Sequence, residues 1–181
     1  MSSISPGAAL LVVDMQVGVV TDNWHVDDVT TRISHLVTVA REAGTPVVWV
    51  RHSSETMPVG SNQWQIVPEL APTTGEPIVE KRYGDAFEDT DLTEVLDGLG
   101  VTHLVVCGAQ SDACVISTLF GGLVRGYNMT LVSDGHTTED RTGYGGPTPD
   151  AVIWVINAIW AYRSAPGRVA DTIAADAVTF N

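Results

Sequence analysis

Lysine is almost missing from this chain of 181 residues: Lys81 is the only one, and the other eight basic residues are arginine. Basic charge is short overall. Nine Lys and Arg stand against 22 Asp and Glu, a formal net charge of −13, which disfavours nucleic acid or an anionic membrane surface as partner. No apolar run reaches the roughly 18 residues that span a bilayer. The first apolar run is preceded by no basic segment, so no signal peptide is expected. The two cysteines, Cys107 and Cys114, form no paired framework, which fits a reducing cytoplasm. The turn in DMQVGVV lacks the glycine spacing of a dinucleotide fingerprint.

What is present is an alternation of strand-length apolar runs with amphipathic segments. Strands are predicted over 9–15, 46–52, 77–81, 101–108, 129–134 and 176–180. Helices are predicted over 29–44, 91–100, 111–127 and 149–163. In 29–44 Ile33, Leu36, Val37 and Ala40 recur at helical spacing, and Gly44 suits the helix end. The near-continuous Val, Leu and Ile runs imply strands covered on both faces. The expected fold is therefore α/β: a three-layer, mostly parallel, six-stranded doubly wound sheet in a single domain, 1–181. Sites in such sheets form at the carboxyl ends of strands. Asp14, Lys81 and Cys114 all fall where predicted strands stop.

Cys107 lies inside an apolar strand and reads as a small core residue. Cys114 lies in the first turn of the next helix, where free N–H groups and the helix dipole favour a thiolate. A buried, inert thiol is an equal reading of Cys114 alone, and Asp14 alone suits a loop cap equally well. Thiol chemistry also needs a proton carrier and a place for developing negative charge. Asp14 supplies the first, Lys81 a bridge between the two, and the backbone N–H groups of Gln110 and Cys114 an oxyanion hole. A lysine in this place is a compact ammonium, where arginine would be a broad planar fork.

The segments LLVVDMQVGVV, VEKRYGDAFEDTDLTEVL, VVCGAQSDACVISTLFGGLVRGY and LVSDGHTTED, in this order and spacing, resemble the isochorismatase-like cysteine hydrolases. That family includes nicotinamidases, N-carbamoyl amide hydrolases and other amidases. The resemblance runs over nearly the whole chain. It implies an Asp–Lys–Cys triad of Asp14, Lys81 and Cys114. It also implies a cis peptide between Ala109 and Gln110 that turns the Gln110 N–H toward the oxyanion. Members with cysteine here cleave amides or related C–N bonds. The vinyl-ether hydrolases that name the family carry another residue there, so Cys114 favours acyl transfer. The metal-binding Asp-x-His pair of nicotinamidases has no counterpart in VRHSSETMPVGSNQW, so neither metal nor cofactor is expected. The implied partners are a small-molecule substrate and further copies of the chain, as a dimer or tetramer. Trp24, Trp64, Tyr83, Phe87 and His136 are candidate pocket residues, with ordinary packing as the competing reading for each aromatic. Trp154 and Trp160 are expected in the core or at a subunit interface. A vinyl-ether hydrolase and a non-catalytic binding protein on the same fold remain alternatives.

Overall fold

The computed structural model describes Ile4 and residues 7–180. Six strands form one sheet: β1 (Ala8–Val13), β2 (Val47–His52), β3 (Ile78–Lys81), β4 (His103–Ala109), β5 (Asn128–Thr137) and β6 (Ala170–Ile173). Their order is β3-β2-β1-β4-β5-β6, and every pairing is parallel. The chain winds outward from β1 in one direction and restarts at β4 in the other, so the switch point lies between β1 and β4.

The apolar runs account for this arrangement. All six residues of β1 and all seven of β4 are buried, as strands covered on both faces must be. Helix α2 (Val26–Glu42), which follows the short helix α1 (Val17–Val20), lays Ile33, Leu36, Val37 and Ala40 on one face of the sheet. On the other face lie α3 (Leu92–Gly98), α4 (Ile116–Arg125) and α5 (Pro149–Ala161), through Leu96, Leu119 and Trp160. Each fully buried Leu or Ile side chain among these contributes about 1.5–3 kcal/mol.

Two elements depart from the pattern read in the sequence. The sixth strand is Ala170–Ile173, not 176–180. Val178 and Phe180 are buried as the apolar alternation implies, but a 3₁₀ turn at Ala175–Ala177 precedes them and they join no strand. The true edge strand carries Asp171 and Thr172, and only half-burial marks it. The helix expected over 111–127 opens instead as a π-type turn, Ser111–Val115, before α4 begins.

Strand register gathers the site. Val13 pairs with Val50 on one side and Gly108 on the other, and His52 pairs with Lys81. The carboxyl ends of β1, β2, β3 and β4 therefore end nearly level. Gly108 makes the close approach possible: its φ is +123°, and a Cβ there would lie 2.0 Å from the Val13 carbonyl oxygen.

Candidate active site

Asp14 follows β1 with φ +49°, a left-handed conformation uncommon for residues other than glycine, though Asn and Asp adopt it more readily than most. Lys81 ends β3, on the same inward face as Val79. Cys114 sits in the π-type turn after β4, half-buried. Folding brings these three side chains together. Lys81 Nζ lies 2.6 Å from Asp14 Oδ2 and donates to Cys114 Sγ at 3.2 Å. It also donates to the Tyr83 carbonyl at 3.1 Å and meets His52 Nδ1 at 3.3 Å. An ammonium has three protons, so four acceptors surround three donors. His52 can accept only with Nδ1 unprotonated. Burial, then the Lys81 charge, lowers its pKa and keeps the ring neutral.

The Lys81 and Asp14 side chains are 0% and 1% exposed, so the pair is fully desolvated. Burial works against the Lys81 ammonium, but Asp14 and Cys114 beside it more than offset this, and its pKa rises. Burial raises the Asp14 carboxyl above its ordinary value, with Lys81 offsetting part of the effect. The Cys114 thiol is pushed up to about 12 by burial and then by the Asp14 charge, Lys81 pulling the other way. The close Lys81–Asp14 contact is that of an ion pair, and burial favours the protonated form of the Cys114 thiol. Asp14 Oδ1 has no hydrogen-bond partner, which leaves it open to exchange a proton.

These groups open onto a cavity of about 290 Å³, lined by Asp14, His52 and Cys114 together with Gly18, Val19, Thr21, Asp22, Asn23, Gln110, Ala113 and Glu139. The Ala109–Gln110 peptide at its edge is cis. Gln16 fixes the wall behind it: its amide donates to the carbonyls of His52 and Trp64 and accepts from the His52 N–H. Among the described residues no group of three or more His, Cys, Asp or Glu side chains is placed to hold a metal ion.

The expected pocket residues are not among those lining this cavity. Trp64 is buried beneath the Arg51 guanidinium, 3.6 Å from its ring centroid. Phe87 stacks on Tyr127 inside the core. Tyr83 is exposed and contributes only its carbonyl. Trp24 and His136 line a separate cavity with Trp154 and Asn157. His136 is buried between Ser111 Oγ, at 2.7 Å, and Asn157 Oδ1, at 3.2 Å. It holds the start of the Cys114 turn and does not face the thiol. Trp160 is core and Trp154 is exposed. Cys107 is buried, with its thiol pKa raised by burial. Several cavity residues were not singled out from the sequence as pocket residues, His52, Asn23, Asp22 and Glu139 among them. His52 had a legible signal, since it closes β2 as Lys81 closes β3; Asn23 lies in a loop and had none.

Comparison with known proteins places the chain in a family. The isochorismatase domain model matches residues 8–145. A streptothricin hydrolase of Streptomyces noursei is 32% identical over 179 residues, which is 95% of this chain and 69% of that protein. A second protein of the same name and organism is 36% identical over 138 residues, covering 73% of this chain and half of that protein's length, 50%. The crystal structure of an isochorismatase from Pseudomonas putida KT2440 superposes with a TM-score of 0.87 at 27% identity, covering 98% of this chain and 93% of that one. A parallel α/β sheet of this order with these relatives defines a hydrolase. More particularly, the chain belongs to the isochorismatase-like cysteine hydrolase family.

Proposed function

We propose that the protein cleaves a C–N bond of a small amide or carbamoyl-type substrate through a thioester on Cys114. The observation that carries this reading is Lys81 Nζ held 2.6 Å from Asp14 Oδ2 and 3.2 Å from Cys114 Sγ. Substrate enters with its carbonyl carbon over the sulfur. Asp14 takes the thiol proton, and the thiolate forms the C–S bond. The backbone N–H groups of Gln110 and Cys114 bind the tetrahedral oxyanion. Asp14 passes its proton to the leaving nitrogen, the C–N bond breaks, and the amine departs. A water then gives a proton to Asp14 and attacks the thioester; collapse expels the sulfur, which recovers its proton. Lys81 orients the carboxylate throughout and stabilises the sulfur whenever it is anionic. The raised Asp14 pKa suits a carboxylate that must both take and return a proton.

Charge narrows the substrate. Lys81 is paired with Asp14, and Arg141 with Asp112 and Glu139, while Asp22 at the cavity has no ion-pair partner among the described residues. Such a cavity favours neutral or cationic substrates over carboxylates. Two relatives are named for hydrolysis of streptothricin, and we include that compound as a candidate. The test is a panel of primary amides, N-carbamoyl compounds, lactams and streptothricin, assayed for ammonia or amine release. Turnover of at least one neutral or cationic member, abolished by Cys114→Ala, is expected. Turnover that persists in Cys114→Ala would end this reading.

A further inference from the structure

Asn23 is buried, 7% exposed, and its side chain lines the cavity that holds Cys114. Its Nδ2 has no hydrogen-bond partner. The orientation of this amide follows from a chain of donors that begins at a guanidinium. Arg141 is anchored on Asp112 by Nη1 at 2.7 Å and on Glu139 by Nε. Its Nη2 donates to Gln110 Oε1 at 2.9 Å. Arginine can only donate, so the oxygen of Gln110 must face it and Gln110 Nε2 must face Asn23. Gln110 Nε2 donates to Asn23 Oδ1 at 3.3 Å. Rotating Asn23 would set two amide donors against each other, so Nδ2 stays free. The backbone is fixed as well. The Asn23 N–H donates to the Val20 carbonyl, Asn23 forms an antiparallel bridge with Glu139, and the Trp24 N–H donates to the Thr138 carbonyl.

We infer that Asn23 Nδ2 is a specificity donor, and that the substrate is an amide bearing a second hydrogen-bond acceptor, a carbonyl oxygen or its equivalent, outside the scissile group. This rests on the hydrolase reading above. In the free protein Nδ2 is a buried donor without a partner. A substrate that brings an acceptor to Nδ2 pairs a donor that is otherwise buried and unsatisfied, and an analogue without the acceptor leaves it so. Sites built in this way discriminate strongly against analogues lacking the matching group. The three-residue chain holds the donor before substrate arrives, so little ordering is lost on binding.

The test uses matched amides that differ only by a methylene in place of the second carbonyl. Values of kcat/KM are measured for the wild type, Asn23→Asp, Asn23→Ala and Cys114→Ala. Asn23→Asp keeps an acceptor facing Gln110, exchanges the free donor for an acceptor and adds a carboxylate charge, so Asn23→Ala, which adds none, is measured beside it. The wild type prefers the carbonyl-bearing member by about 10-fold or more, and Asn23→Asp removes or reverses that ratio. Asn23→Ala also removes the ratio, and supplies the comparison alone if Asn23→Asp does not fold. An unchanged ratio in the Asn23 variants, or no preference in the wild type for any pair, overturns this inference alone. Turnover that survives in Cys114→Ala overturns the hydrolase reading and this inference with it.

Discussion

Lys81 reaches its four neighbours within 3.3 Å and from complete burial, which explains why the chain's only lysine stands there. A guanidinium is planar and too broad to occupy that space without displacing Asp14 or Cys114. Lys81→Arg is therefore expected to lower kcat/KM by about 100-fold or more, on the scale of losing one preorganised donor. Steady-state kinetics on whichever amide the wild type turns over checks this, and near-full activity would contradict it. Asp14 and Lys81 were legible because each stands at the end of an apolar run, and Cys114 because it opens the helix after one. Asn23 was not: its burial depends on a loop meeting the segment after β5, a contact between residues more than 100 positions apart. The thiol itself differs from one of the two states read in advance. Burial and then the Asp14 charge favour the protonated thiol, and in the proposed mechanism Asp14 takes that proton once substrate is bound.

The turn that carries Cys114 is braced from behind by His136, through Ser111. Burial pushes the His136 pKa down to about 4, against an ordinary 6.5. Below pH 6.5 the unfolded chain binds a proton that the folded protein refuses, so stability falls as pH drops from 6.5 toward 4. By pH 4.5 this single group costs about 2.5 kcal/mol. Urea denaturation at pH 7 and pH 4.5 is expected to show a smaller acid loss in His136→Asn than in the wild type, by about that amount. Equal losses would contradict the assignment. At this scale the strands were read from their apolar runs and α2 from its periodicity. The sixth strand was not, because apolar alternation at Val178 and Phe180 reports burial, and burial does not require a strand. The π-type turn carries no compositional mark at all.

Across the whole molecule, one topological fact places the chemistry. Strand order reverses between β1 and β4, and the ends of those two strands carry Asp14 and the Gln110–Cys114 turn. The sequence implied a doubly wound parallel sheet with its site at the carboxyl ends of strands, so the position of the site was legible before its walls were, though the strand order was not. The aromatic residues expected in those walls went elsewhere, because loop residues near a strand end in sequence can pack behind the cavity, as Trp64 and Phe87 do. No helix among the described residues is long and apolar enough to cross a membrane. The central claim is that this switch point builds an acyl carrier on sulfur. Acid quenching during steady-state turnover, followed by intact-mass and peptide analysis, measures it directly. The account predicts an acyl adduct on the peptide containing Cys114, absent from Cys114→Ala and absent from Cys107. Turnover with no adduct on Cys114, or with the acyl group on another residue, would contradict it.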